Sequence, residues 1–239
     1  MIRRTAVLVV PLMLLLLMPG VSHAGLVNPG FETGNFTGWT LDTPVGASSD
    51  VVTSWDGDLG YYGGTSLHYD PVWGSYFSLL KTDGPDDWNS ISQDVSLAGG
   101  EKLEGWAAFD ARDWLEIDYP PAYNDTAQVR ILDSLGAELA IPWEESVQSL
   151  YDVGNYGYDT ADKPGYGDGP WESWSWMPQG AGTYTVEYRI TNVADSALAS
   201  YALFDGPQGV PPVPEPASMV LLGLAGSAVG LALKKRRKA

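Results

Sequence analysis

Tryptophan and tyrosine are the side chains whose types and spacing point most directly to chemistry. The chain carries ten Trp and thirteen Tyr against five Phe. Each of the two presents a flat apolar face together with a hydrogen-bond donor, a combination that stacks under the C–H face of a sugar ring while bonding its hydroxyls. They gather in two places. Trp55, Tyr61, Tyr62, Tyr69, Trp73 and Tyr76 lie in and around Gly/Asp-rich stretches, and Tyr151, Tyr156, Tyr158, Tyr166, Trp171, Trp174 and Trp176 surround a Gly-rich insertion. Loops carry binding more often than strands do. Trp55, Tyr61, Tyr62, Trp73, Tyr158, Trp171 and Trp174 are therefore the candidate ligand-binding residues, and aromatic loops folded back onto a sheet are the alternative.

Catalytic chemistry has less to work with. Of the two histidines, His23 lies in the N-terminal segment, so any Ser-His-Asp arrangement beyond it would rest on His68, which sits in a strand-like run. There is no cysteine, which removes thiolate nucleophiles, thiolate metal sites and disulfides. A glycosidase needs only two carboxylates at a suitable separation; Glu116 with Asp118 and Glu144 with Glu145 are the nearest candidates, and solvated loop charge is their plainer reading. Asp56-Gly57-Asp58 and the acids of 83–87 look like calcium loops, but neither completes a known ligand spacing. Setting aside Arg3, Arg4 and the five basic residues at the C-terminus leaves six basic residues against 30 acids. So acidic a chain does not bind nucleic acid or anionic lipid by charge.

The elements that must hold these residues read as strands. In 183–191, Tyr184, Val186, Tyr188 and Ile190 alternate with Thr185, Glu187, Arg189 and Thr191, a period of two that gives one apolar and one polar face. Further strands are expected at 65–69, 76–82, 90–97, 102–110, 127–133, 137–141, 171–177 and 200–204, separated by clusters of Gly, Pro, Asn and Asp. No convincing amphipathic helix interrupts them. The expected fold class is all-β, a sandwich over residues 25–205, with Trp39, Trp106, Tyr184 and Tyr188 as core aromatics. About 190 residues between the two ends suffice for one domain with its own core.

Both ends read as addresses. Arg3 and Arg4 precede an apolar run over 6–18, and Ser22-His23-Ala24 supplies small residues before a cut at Gly25, the pattern of a secretory signal peptide over residues 1–24. At the other end a Pro/Gly linker, 206–213, leads to Pro214-Glu215-Pro216. An uncharged stretch over 217–233 follows, then Lys234, Lys235, Arg236, Arg237 and Lys238. As a helix the stretch would be about 26 Å long, enough to reach across a bilayer core of about 30 Å. The basic cluster would stay in the cytoplasm, with everything before it on the far side.

The triplet, span and basic end of residues 214–239 resemble the PEP-CTERM sorting signal of Gram-negative bacteria. The resemblance implies that an exosortase recognises Pro214, Glu215 and Pro216 and removes the tail. It also implies a cargo transiently anchored in the inner membrane, then placed on the cell surface or in the extracellular matrix, and associated with exopolysaccharide or biofilm. The two prolines hold the chain extended, which suits presentation to a protease.

A second resemblance covers the domain. The opening LVNPGFETGNFTGWT, then Ile91-Ser92-Gln93-Asp94-Val95 with its Gly99-Gly100 turn, and last Asn192-Val193-Ala194-Asp195-Ser196 leading to 200–205, resemble galactose-binding-like jelly rolls, the fold of many carbohydrate-binding modules. Several of these hold a structural calcium ion between the opening segment and the last strand. Carried over, that implicates Glu32 and Asp205, an oxygen-donor pair of the type calcium takes; hydrogen bonding of Glu32 to the turn amides of 34–36 is the alternative. The combined expectation is a non-catalytic exported protein, with exosortase and a matrix polysaccharide as partners and calcium as a structural ion. A structural matrix or surface-layer protein without a specific ligand is the alternative, and a carboxylate glycosidase ranks last.

Overall fold

The computed structural model describes residues 25–57, 67–82, 84, 86–112, 123–152, 168–194 and 198–207. The expected signal peptide, the linker from residue 208 onward and the whole sorting tail, with Pro214, Glu215, Pro216 and the span at 217–233, lie outside the described residues.

Two five-stranded antiparallel sheets face each other. The front sheet has the order β1 (Thr40–Asp42), β6 (Trp88–Leu97), β11 (Gly182–Thr191), β8 (Thr126–Asp133), β9 (Glu138–Ser146). The back sheet has the order β10 (Glu172–Trp176), β7 (Leu103–Asp110), β12 (Tyr201–Asp205), β5 (Phe77–Lys81), β2 (Ser48–Val52). A small hairpin pairs β3 (Trp55–Asp56) with β4 (His68–Tyr69). One short helix, α1 (Val147–Asp152), follows β9. Ser146 and Ser149 cap its start reciprocally: the Ser149 amide donates to Ser146 Oγ at 3.2 Å and the Ser146 amide to Ser149 Oγ at 2.7 Å.

The alternation read in 183–191 is realised in β11. Val186, Tyr188 and Ile190 are fully buried between the sheets, while Glu187 and Arg189 face outward and engage Arg130 and Gln128. The Arg189 guanidinium also lies 3.8 Å from the Trp88 ring centre. The outer face of the front sheet is thus a lattice of charges and amides.

An aromatic column runs through the core. Phe31 stacks on Trp39 at 5.4 Å, Trp39 meets Tyr188 at 5.0 Å, and Tyr188 lies nearly parallel to Phe204 at 4.6 Å. Each such pair adds about 0.5–1.5 kcal/mol to the area it buries. Of the expected core aromatics, Trp39 and Tyr188 are buried and Tyr184 packs against the cluster half-buried. Trp106 is a correction: it lies on the opposite side of β7 from Ala107 and Phe109, half-buried on the outer face.

The back sheet is covered on both sides. Ala202 and Phe204 of β12 point into the sandwich, whereas Leu203 and Tyr201 belong to a second apolar cluster with Phe77, Leu79, Ala108 and Tyr69. A strand buried on both faces reads as a continuous apolar run, and Tyr201–Asp205 (YALFD) has that form. What covers the outer face is the β3–β4 hairpin with Trp55, Leu67, Tyr69 and Trp171.

Candidate functional site

The N-terminal segment meets the last strand through glycines. A Cβ on Gly30 would lie 2.9 Å from the Gly206 carbonyl oxygen and 3.3 Å from Asp205 Oδ1. The two chain ends can cross this closely only without side chains there. Before the crossing, Asn28 Oδ1 accepts the Thr33 amide at 3.1 Å, and Phe31, at φ 57°, drops its ring into the core. That turn aims Glu32 at the segment 72–76.

Glu32 and Asp205 together grip that segment by its amides. Trp73 N donates to Asp205 Oδ2 at 2.9 Å, and Gly206 N to Asp205 Oδ1 at 2.7 Å. Ser75 N donates to Glu32 at 2.9 Å and Tyr76 N to the same oxygen at 3.2 Å. The partners of Glu32 are therefore amides more than forty residues away, not the nearby turn at 34–36. Gly74, at φ 74°, lets the turn close over the Glu32 carboxylate. Burial pushes Asp205 up to about 7, against the pull of its amide donors and with help from the Glu32 charge. As a calcium site the pair offers carboxylate lone pairs and the adjacent Gly206 and Pro29 carbonyls, oxygen donors of the type calcium takes.

At the other end of the same sheet face stands a second acid pair. Asp110, the last residue of β7, pairs across an antiparallel bridge with Asp168, and both are fully buried. Trp55 Nε1 donates to Asp110 Oδ2 at 3.1 Å, and Leu67 N to Asp168 Oδ2 at 2.7 Å. Burial first, then the Asp110 charge, pushes Asp168 up to about 9. The Tyr69 hydroxyl donates to the Gly169 carbonyl at 2.9 Å and is held protonated by burial and by both carboxyls. Neither Asp110 nor Asp168 was among the expected site residues. The signals available were weak: an acid closing the apolar run Ala107-Ala108-Phe109, and another beside Gly167 and Gly169.

The aromatic candidates divide. Trp73, 47% exposed, is carried by the turn that Glu32 and Asp205 hold. Trp171 donates Nε1 to the Asp70 carbonyl at 3.0 Å and sets its edge against Tyr69 and Phe77. Trp55 lies tilted against Tyr201, ring centres 4.6 Å apart. These three follow the outer face of the back sheet, from the Asp205 end to the Asp110 end. Trp174 is a correction: at 3% exposure it is a core residue, edge-on to Tyr188 at 5.9 Å. The alternation in β10 turns Trp174 and Trp176 inward and Ser173 and Ser175 out. Tyr61, Tyr62 and Tyr158 lie outside the described residues.

The catalytic candidates are engaged elsewhere. His68 sits between Asp56, 2.5 Å from Nδ1, and Asp70, 3.3 Å from Nε2, on the exposed side of the hairpin, and the Asp56 hydrogen bond raises its pKa. Glu144 accepts from Gln128, and Glu145 from Ser149 Oγ at 3.1 Å. Glu116 and Asp118 lie outside the described residues. Among the described residues no group of three or more metal-ligating side chains assembles, and no helix is long and apolar enough to cross a membrane. A shallow polar hollow of about 450 Å³ opens between Val27, Gly38, Thr40, Ser92, Gln93 and Asp94. The reciprocal bonds of Gln93 with the Val27 backbone, 2.5 and 3.0 Å, tie one wall of it to the other.

Residues 212–238 match the family described as the PEP-CTERM protein-sorting motif. No curated protein matches this chain by sequence. Among solved structures it is similar to a family 61 carbohydrate-binding module in complex with β-1,4-galactotriose, at 16% identity and TM-score 0.39, over 75% of this chain and 92% of that one. It is also similar to the K3 cleaved adhesin domain of Lys-gingipain from Porphyromonas gingivalis, at 16% identity and TM-score 0.42, over 76% and 96%. A third is the CBM22-1 xylan-binding domain of Paenibacillus barcinonensis Xyn10C, at 15% identity and TM-score 0.32, over 74% and 87%. At this level nothing about ligand or activity transfers to this chain.

Proposed function

We propose that this chain is an exported, non-catalytic glycan-binding protein of the bacterial surface or extracellular matrix, released from its C-terminal tail by an exosortase. The sorting motif at 212–238 supports the export and processing. The binding reading is carried by one observation: the segments that carry the two aromatic groups, separated by about a hundred residues in sequence, return to the sandwich at one place. Leu67, where the chain returns from 58–66, donates its amide at 2.7 Å to Asp168, where it returns from 153–167. Tyr61, Tyr62 and Tyr158 belong to those two segments, and Trp55, Trp73 and Trp171 follow the sheet face that ends at those two roots.

That face is aromatic and built from rigid donors and rings, the composition that stacks on sugars. The outer face of the front sheet is charged and internally paired. The carboxylates Glu144, Glu145 and Glu172 each accept a hydrogen bond from a neighbouring side chain, which favours a structural use for them over glycoside hydrolysis. Calcium between Glu32 and Asp205 would tie the N-terminal segment to the last strand and brace the turn that presents Trp73.

Affinity electrophoresis of the processed protein through gels containing a panel of bacterial exopolysaccharides tests the reading. Selective retardation that falls at least tenfold in Trp73→Ala or Tyr158→Ala supports it. A folded protein that no polysaccharide retards, but that self-associates, would instead fit the matrix structural role.

A further inference from the structure

Asp70 is followed by Pro71, and an Asp–Pro link is the most easily hydrolysed of the ordinary peptide bonds. Two properties make it so. The proline nitrogen carries no hydrogen and belongs to a tertiary amide, which takes a proton and leaves more readily than a secondary one. The aspartate carboxylate can also close on its own main-chain carbonyl carbon to give a five-membered anhydride, which is nucleophilic catalysis by a carboxylate within one residue. Near neutral pH such a bond normally survives, because nothing polarises the carbonyl or supplies the proton. Asp70 has a neighbour for each task.

The Asp70 carbonyl oxygen accepts the Trp171 indole N–H at 3.0 Å. That donor sits where negative charge gathers when the carbonyl carbon is attacked. The indole is fixed edge-on to Tyr69 and Phe77, with ring centres 6.1 and 5.5 Å away. The carboxyl is held on the other side. Alternation along β4 buries Tyr69 and leaves His68 and Asp70 on the exposed side, and His68 Nε2 lies 3.3 Å from Asp70 Oδ1. Asp56, directly opposite His68 in the hairpin, lies 2.5 Å from Nδ1. The Asp56 hydrogen bond, followed by the charges of Asp56 and Asp70, outweighs desolvation and raises the His68 pKa. Those two acids are the charged groups that face His68 among the described residues. The His68 and Asp70 side chains are 54% and 75% exposed, so water reaches both.

We propose that the chain cleaves its own Asp70–Pro71 bond, with the Asp70 carboxylate as nucleophile, His68 as general acid and the Trp171 indole as the donor to the carbonyl oxygen. A carboxylate oxygen bonds to the Asp70 carbonyl carbon. The carbon–nitrogen bond to Pro71 then breaks, its electron pair goes to the nitrogen, and His68 supplies the proton. Water opens the anhydride: one of its protons returns to His68, the other ends on the prolyl amine, and Asp70 is left with two carboxylates. One peptide bond and one water are consumed, with no oxidant or cofactor. Asp56 touches no reacting atom and is a positioning residue, turning Nε2 of His68 toward Asp70. The event occurs once per chain and does not rest on the glycan-binding reading. The nick falls between β4 and β5, while β1 stays paired with β6 and β2 with β5, so the two pieces remain assembled until the protein unfolds.

The test incubates the full chain, purified in detergent with protease inhibitors, between pH 6 and 9 and follows it by denaturing electrophoresis and intact mass. The expected result is one fragment ending at Asp70 and one beginning at Pro71, co-eluting under native conditions and formed at a rate independent of protein concentration. Hydroxylamine present during the incubation should be found as a hydroxamate on Asp70, the mark of the anhydride. Cleavage should slow as pH rises through the titration of His68, since the protonated ring is the acid. Asp56→Asn should move that fall to lower pH, which a merely structural loss would not do. Asp70→Ala and Pro71→Ala should abolish the fragments, and His68→Gln and Trp171→Phe should slow them at least tenfold; the exposed His68 and Asp56 keep the test decisive if Trp171→Phe unfolds the hairpin. The urea-unfolded chain at the same pH measures the ordinary lability of the bond and should be cleaved at least tenfold more slowly. An intact folded chain, equal rates folded and unfolded, or a rate that grows with protein concentration overturns the proposal and leaves His68, Asp56 and Trp171 as supports of the hairpin end. No arm reads glycan binding, so failure of that reading leaves this test intact.

Discussion

Glu32 with Asp205 and Asp110 with Asp168 are two acid pairs at opposite ends of one sheet face, and the fold serves them differently. The first pair meets a turn that turns its amides inward: Trp73, Ser75, Tyr76 and Gly206 all donate to it. In the second, Asp110 accepts the Trp55 indole N–H, Asp168 accepts the Leu67 amide, and the two carboxyls meet each other. The difference appears in their protonation. Asp205 is pushed up to about 7 and Asp168 to about 9, because amide donors favour the ionised form and dry surroundings beside another carboxyl oppose it. A buried carboxylate surrounded by amides is a structural clamp; one buried against a second carboxyl keeps its proton to higher pH.

The comparison can be broken most forcefully at Gly57. Gly57→Ala forces a methyl group to within 2.7 Å of both Asp168 oxygens, so the β3–β4 layer must lift. We expect a loss of about 3 kcal/mol or more, read by urea unfolding. A loss below 1 kcal/mol would mean that the hairpin is not seated on the pair.

Removing the clamp comes next. Asp205→Ala strands the Trp73 and Gly206 amides, at about 1–3 kcal/mol, and should expose the 72–76 segment to proteolysis. Unaltered cleavage kinetics there would show that the turn is held by packing alone.

The pH dependence of the chelated protein sharpens the contrast. Above the ordinary carboxyl pKa the unfolded chain loses protons that folded Asp205 and Asp168 keep, so the native state binds more protons and stability falls as pH rises. The Asp205 contribution to that fall should end near pH 7 and the Asp168 contribution near pH 9. Asp168→Asn should flatten the slope between pH 7 and 9, and Asp205→Asn only the part below 7. Melting temperatures across this range check it, and equal slopes in all three proteins would contradict the assignment.

The smallest effect belongs to Trp73. It is exposed and held through its backbone, so Trp73→Ala should change stability by no more than about 0.5 kcal/mol while weakening polysaccharide retention. A large loss of stability would make it a packing residue like Trp174.

Much of the sandwich was legible because a strand with one wet and one dry face writes its period into the chain, as Thr185, Glu187 and Arg189 do against Val186, Tyr188 and Ile190 in β11. The signal weakened where both faces are covered. In 201–205 and 107–110 an apolar run does not say which residue faces which layer, and Trp106 was assigned to the wrong one. Trp174 was misread for a related reason: 171–177 reads as a strand, but WESWSW beside a Gly-rich insertion does not say that Trp174 and Trp176 face the sandwich while Ser173 and Ser175 face out. The short strands β1 and β3 carry too few residues to show a period.

Residue order alone determined the sorting signal, the acid excess, the absence of cysteine and the apolar face of β11, because each depends on neighbours along the chain. Only the tertiary structure decided that Glu32 serves amides more than forty residues away, that Trp55 and Trp171 cover one sheet face, and that Asp110 meets Asp168. Those pairings join residues separated by tens to more than a hundred positions, and their geometry is set by sheet order and by glycines that let backbones touch. No local pattern encodes a contact whose partners are chosen by the packing of everything between them.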